Sequence, residues 1–448
     1  MIAVTTLAFA AVLQSQPLPR RGALGLASTP LTREQAASLK LPEGTGVVVA
    51  DVVPGFTAAN AQLQKGDVVA KMNGKPVSAK TLGELARNLP SNQSVSFDVR
   101  RGNQTITLKA DMVEKPKDPG TEMYEVSYSH IVSNGKRMRT IITTPRKPGG
   151  KRPGFFFIQG FSPNSYDFTL STSTGDVKTI DGPLLHQFAS EGFVTIRVEK
   201  PGVGDSEGGP FADLDYITEL DIYRQTLKQL KEHGGVDKDN IFIFGHSMGG
   251  AFGPMIAAES QVKGIATYGT AARTWFEYLL DIIRYQGVLA GQTLPAADDE
   301  MRIAARIFSQ VILERKSAAQ VKKSQPKLAP YVDAYFPGGL FNQKTLEFWR
   351  QLNDVNFPSY WVKANCRVLA VRGFSDYVTY DIDHKVIADS VNAVHPGWGK
   401  FELCPDSDHL FHDWPTEKAS ITNWTKGKFS MNFSNMMLKW IREVMAEK

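Results

Sequence analysis

Two different rhythms of apolar and polar positions divide this chain. Up to residue 113 the apolar positions come in short runs, Gly46–Val53, Asp67–Lys71, Val95–Val99 and Thr105–Lys109. Runs of that length and β-branched content predict strands. Turn signals separate them: Pro54-Gly55, Lys65-Gly66-Asp67, Asn73-Gly74 and Arg101-Gly102-Asn103. One helix is expected over Thr81–Leu89, stopping before Pro90. Residues 20–113 are therefore read as a small β-rich domain. The charged, proline-containing stretch 114–122 is read as a linker, because proline opposes both helix and central strand.

From Met123 the rhythm changes. Tyr124–Val132 and Met138–Thr143 flank the turn Ser133-Asn134-Gly135 and predict a hairpin. Continuous apolar runs then alternate with amphipathic stretches. The predicted strands are Gly154–Gln159, Phe193–Glu199, Ile241–Phe244, Gly264–Tyr268, Arg367–Val371 and Lys400–Leu403. The predicted helices are Pro183–Ser190, Tyr216–Glu232, Gly250–Glu259, Asp383–Ser390 and Asn432–Val444. Such alternation predicts an α/β class fold with a doubly wound, mostly parallel sheet over 123–448. Residues 271–360 interrupt it with helical, aromatic-rich sequence and no good strand, and are read as a helical cap over the site.

Composition narrows the function only a little. The 448 residues are 42% hydrophobic and 22% charged with a net charge of +5, and no dense basic run is present. Nucleic acid is therefore not expected as a partner, and no stretch is long and apolar enough for a stable membrane span. Residues 2–16 carry no charge and Arg20-Arg21 follow, so residues 1–19 are read as a signal peptide. A periplasmic or secreted location follows, with the cytoplasm as the alternative. Two cysteines, Cys366 and Cys404, are expected to stay free, because they fall at opposite ends of parallel strands. No metal constellation is visible and no cofactor is implied.

The sharpest chemical signal is Ile241-Phe242-Ile243-Phe244-Gly245-His246-Ser247-Met248-Gly249-Gly250. An apolar strand runs into a serine with glycine two residues before and two after, and a helix-compatible stretch follows. A tight strand-to-helix turn lifts such a serine above the sheet edge, and glycines at Gly245 and Gly249 let the backbones pass. Ser247 is the candidate nucleophile, and His246 is read as a packing or hydrogen-bonding residue beside the elbow, not as a base.

Around this motif residues 123–448 resemble the α/β-hydrolase family, and most closely its exported bacterial esterases with a helical cap. Phe155–Phe161 looks like the family's oxyanion strand and loop, with Gln159 where histidine is frequent. Glu199–Gly208 looks like its Asp-x-Arg-Gly-x-Gly-x-Ser loop with substitutions. The resemblance implies the chain order serine, acid, histidine. Asp376, after a late strand, is the expected acid, with Asp381 and Asp383 as rivals. His409 in Asp408-His409-Leu410-Phe411 is the expected base, with His412 as the alternative. The resemblance also places oxyanion donors on the backbone N–H groups of Phe161 and Met248.

Residues 22–112 resemble a PDZ domain of the bacterial periplasmic-protease kind. The matching pieces are Ala23-Leu24-Gly25-Leu26, Gly55–Ala59 and Leu63–Val69. The resemblance implies that Leu24, Gly25 and Leu26 receive a peptide C-terminus. The expected activity is cleavage of a carboxylic ester through an acyl-enzyme. A peptidase or amidase on the same residues, or a PDZ-based binding protein with a degenerate hydrolase domain, are the alternatives. The substrate is a small ester or a peptide, and homo-oligomer formation is left open.

Overall fold

The computed structural model describes residues 17–447 except 80, 88, 148, 168–169, 173–174, 178–181 and 424–425. The signal-peptide reading of 1–19 rests mainly on residues outside this set. The chain forms two compact units, Pro17–Asp118 with Asp167–Thr179, and Pro119–Tyr166 with Ile180–Lys448.

The first unit is built on an antiparallel sheet running Leu26–Pro30, Val47–Val52, Val68–Met72, Ser94–Arg101, Gln104–Asp111, with Lys75–Pro76 added to the third strand. Val47, Val49, Val69, Phe97 and Val99 point inward and pack with Leu63, Val77 and Leu82. Their period of two is what one buried sheet face demands. The sequence reading omitted the helix Arg33–Ser38, which is closed by a capping box between Thr32 and Gln35. Glu114, expected in a linker, pairs with Gly22 in a two-residue ladder.

The second unit holds an eight-stranded sheet. Its strands are β1 (Tyr124–Ser133), β2 (Lys136–Pro145), β3 (Arg152–Ile158), β4 (Val194–Val198), β5 (Val236–His246), β6 (Gly264–Tyr268), β7 (Arg367–Gly373) and β8 (Gly399–Cys404). Their spatial order is β1-β2-β4-β3-β5-β6-β7-β8, antiparallel at β1–β2 and β2–β4 and parallel beyond. This is the doubly wound, mostly parallel sheet that the alternation predicted, and it has the α/β-hydrolase form that the resemblance implied. Both faces are covered, so the central strands are apolar throughout. Phe155, Phe157, Phe242 and Phe244 face Phe188 of helix Gly182–Ser190 and Phe433, Met437 and Ile441 of helix Asn432–Ala446. Phe156, Ile158, Ile241 and Ile243 face Leu220, Tyr223 and Leu227 of helix Tyr216–Glu232 and Phe252 of helix Gly249–Glu259.

Between β6 and β7 the chain is helical. Helix Trp275–Leu289 opens with a capping box from Thr274 and Glu277. Helices Leu294–Phe308, Ala318–Ser324, Ala329–Tyr335, Leu346–Asn353 and Phe357–Lys363 follow. Cap residues Trp275, Phe308, Phe348 and Trp349 join the same apolar cluster as the sheet face bearing Ile243. Among the described residues no helix is long and apolar enough to cross a membrane. Cys366 and Cys404 are free and buried, and burial pushes their thiols up to about 12 and about 11.

Candidate active site

The turn between β5 and helix Gly249–Glu259 holds Ser247 at φ 53°, in the left-handed region. Its N–H donates to Tyr268 O at 2.8 Å, and its carbonyl accepts the Gly250 N–H at 2.9 Å. The neighbouring glycines are required sterically. A Cβ at Gly245 would lie 2.5 Å from Gly249 O, and one at Gly249 would lie 2.1 Å from Ile158 O. The elbow therefore presses directly on the end of β3, which carries the loop with Gly160 and Phe161.

Ser247 Oγ lies 3.0 Å from His409 Nε2. His409 Nδ1 lies 3.0 Å from Asp376 Oδ2. The three residues follow the ends of β5, β7 and β8 in that chain order, all on the parallel part of the sheet. Gly269 leaves room for the pair, since a Cβ there would sit 2.8 Å from His409 Nδ1 and 2.9 Å from Asp376 Oδ2. Asp376 is fully buried. Burial alone would raise its pKa. The positive charge of His409 and hydrogen bonds from His409 and Thr379 outweigh that, and hold the carboxyl well below the usual carboxylate range.

The alternatives lie elsewhere. Asp383 accepts the Ala272 and Arg273 N–H groups at 3.0 and 3.1 Å and pairs with the Arg273 guanidinium. Asp381 pairs with Arg372 at 3.3 Å. His412 sits on a two-residue strand, with its Nδ1 3.7 Å from Asp408. Asp408, unremarked in the sequence except as the neighbour of His409, builds the histidine loop. Its Oδ1 accepts the N–H groups of Leu410 and His412 at 2.8 and 2.9 Å. An acid immediately before the histidine in a tight turn was the available signal.

Phe161 and Met248 line the same cavity as Ser247. Among the described residues neither of their N–H groups meets an acceptor. The cavity is about 180 Å³, walled by Trp275, Tyr278, Trp349 and Phe357 of the cap. Among the described residues that line it, Arg273 is the single charged one. That guanidinium is already neutralised by Asp383 and Asp281.

His246 is buried behind the elbow, with Nε2 2.9 Å from His409 O. Burial first, then the charge of His409, lower its pKa to about 3. The reference for the unfolded chain is about 6.5. A base depressed on folding is protonated first in the unfolded state, so its contribution is complete above about pH 6.5 and declines towards pH 3, by roughly 1.4 kcal/mol per pH unit. Thermal unfolding followed between pH 7 and 4 should therefore show a falling midpoint. His246→Asn, which keeps a donor for His409 O, should flatten that fall. An unchanged slope in the variant would assign the acid sensitivity to other groups.

In the first unit, Gly25 (φ 63°) sits between Leu24, whose carbonyl accepts the Ala58 N–H at 2.9 Å, and Leu26, which starts the edge strand. Leu24, Gly25, Leu26 and Ser28 face Leu82 and Ala86 of helix Thr81–Arg87 across a groove of about 410 Å³.

Comparison with known proteins agrees with both units. Residues 22–112 match the PDZ domain. The chain is 32% identical over 129 residues to the periplasmic serine endoprotease DegP of Salmonella typhimurium, covering 28% of this chain and 27% of that protein. It is 32% identical over 165 residues to YtmA of Bacillus subtilis, described as an uncharacterized peptidase, covering 35% of this chain and 56% of YtmA. The chain thus spans about a quarter of one relative and about half of the other. Similar solved structures include ferulic-acid-bound Est1E of Butyrivibrio proteoclasticus, at 15% identity, 71% and 99% coverage and a TM-score of 0.43. Acetyl xylan esterase 1 of Thermoanaerobacterium sp. gives 14%, 74% and 87%, and 0.42. The match that decides the family runs over residues 134–385, more than half of the chain and including the serine elbow, and by it this serine hydrolase belongs to the X-Pro dipeptidyl-peptidase (S15) family.

Proposed function

We propose that the chain hydrolyses neutral carboxylic esters through an acyl-enzyme on Ser247. The observation that carries this reading is the hydrogen-bonded line Ser247–His409–Asp376, with both links at 3.0 Å. His409 Nε2 takes the Ser247 proton as Oγ attacks the carbonyl carbon. The resulting oxyanion is received by the Phe161 and Met248 N–H groups. His409 then hands the proton to the departing alkoxide, and a water activated by the same nitrogen releases the acid. Asp376 keeps Nδ1 protonated throughout.

Ester is preferred over peptide because of the cavity. A dipeptidyl-peptidase must receive the ammonium of its substrate's N-terminus, and a desolvated ammonium calls for a carboxylate. Among the described lining residues there is none, and the aromatic walls suit an apolar acyl or alcohol group. The family match keeps a peptidase as the second reading. Turnover of 4-nitrophenyl acetate, butyrate and hexanoate should exceed that of Ala-Pro and Gly-Pro 4-nitroanilides by at least about 100-fold in kcat/KM. Such a gap is about 2.7 kcal/mol of transition-state binding. Comparable anilide turnover would transfer the chain to the peptidases.

For the PDZ unit we propose capture of an extended peptide C-terminus. Its backbone would add to the edge strand Leu26–Pro30, and its carboxylate would meet the N–H groups around Gly25. The likeness to a periplasmic endoprotease supports an exported location.

A further inference from the structure

Lys200 is almost wholly buried, and so is its partner Glu219 on helix Tyr216–Glu232. Its ammonium spends all three protons. It meets Gly160 O at 2.6 Å, Phe161 O at 2.9 Å and Glu219 Oε1 at 2.8 Å. Glu219 Oε1 is held in turn by Tyr223 OH at 2.8 Å. A buried ion pair of this kind is a poor source of stability, since well-packed apolar side chains commonly do as well. What this pair grips is the loop beside the nucleophile.

The Gly160 carbonyl and the Phe161 N–H belong to one planar peptide unit, and they point in opposite directions. Fixing the oxygen fixes the direction of the hydrogen. That peptide lies against the elbow, for a Cβ on Gly160 would stand 3.3 Å from Ser247 Cβ. With the Phe161 carbonyl held as well, the peptide planes on both sides of the Phe161 Cα are pinned. A cation on the Gly160 oxygen also polarises the unit and strengthens the N–H as a donor.

We propose that Lys200, with Glu219 as its counter-ion, is a positioning residue that aims the Phe161 N–H at the oxyanion formed on Ser247. The proposal rests on the hydrolytic reading of Ser247 given above. Lys200 touches no reacting atom and acts through one peptide plane.

The test uses the full chain, 4-nitrophenyl butyrate as substrate and phenylboronic acid as a tetrahedral adduct former. Lys200→Met alone leaves the Glu219 charge facing only the buried Lys344 ammonium, 3.9 Å from its Oε2, so Lys200→Met/Glu219→Gln is made beside it, retaining an acceptor for Tyr223 OH. In either folded variant kcat should fall by about 10- to 100-fold with KM within about twofold. The inhibition constant for phenylboronic acid should rise in parallel. A packing defect would not move these two quantities together at constant KM. Folded variants with kcat and inhibition constant within twofold of the parent overturn the proposal. A crystal structure of the unmutated chain with phenylboronic acid keeps it testable should neither variant fold. A boronate oxygen within hydrogen-bond distance of Phe161 N supports it, and one placed elsewhere overturns it. Failure to form an adduct on Ser247 would overturn the hydrolytic reading itself, and this proposal with it.

Discussion

Ser247→Ala should lower ester turnover by about a millionfold while leaving the fold intact. Alanine accepts the same left-handed backbone no worse than serine does, and the N–H bond to Tyr268 O needs no side chain. The thermal midpoint should therefore move little. What disappears is the oxygen 3.0 Å from His409 Nε2. A residual rate from the oxyanion donors and the cavity would remain, slow and dependent on hydroxide. A fluorophosphonate should phosphonylate the parent chain with loss of fluoride, adding the reagent mass less HF, and add nothing to the variant. Retention of more than about a hundredth of the parent turnover would exclude an acyl-enzyme on Ser247.

Asp376→Asn should cost about 10⁴-fold in kcat, although it changes one atom. The carboxylate is surrounded by donors. Oδ1 accepts the Val378 and Thr379 N–H groups at 2.7 and 3.2 Å. Oδ2 accepts Thr379 Oγ1–H at 2.7 Å and faces His409 Nδ1 at 3.0 Å. An asparagine must keep its oxygen where the two backbone donors are, so its NH₂ turns to His409. Nδ1 becomes the acceptor and Nε2 carries the proton, leaving nothing to accept the hydrogen of Ser247. The threonine hydroxyl can rotate to accept from the new NH₂, so no buried group is stranded. Melting should change by a few degrees at most. Turnover within tenfold of the parent, measured with the same esters, would show that another group orients His409.

The elements were legible in the sequence wherever burial on two faces made the apolar run continuous. β6 and helix Tyr216–Glu232 fall on their predicted bounds. The glycine at 245 was legible because the collision it avoids, with Gly249, is local, whereas the one avoided at Gly249 is with the distant Ile158 carbonyl. Other features depend on distant segments. Asp376, Asp381 and Asp383 all follow β7, and nothing within the run separates them. Only the return of β6, β8 and the cap decides which one faces His409 and which one is spent on Arg273. Lys200 was visible as a departure from a familiar loop. Its partners, at Gly160 and Glu219, lie 40 residues before and 19 after it, and no periodicity links them. The strand Leu26–Pro30 was missed because it is short, polar and ends in proline, the composition of an edge.

The left-handed backbone at position 247 has one more consequence, for how this chain would age under mutation. A non-glycine residue held at φ 53° carries on the order of 1–3 kcal/mol of strain. Glycine at the same place would relax it and lose more freedom on unfolding, with the first effect the larger in so tight a turn. The most stable sequence for this fold is then one that cannot form an acyl-enzyme. Drift without selection for hydrolysis would run towards glycine at 247, and the serine now there stands against the folding gradient.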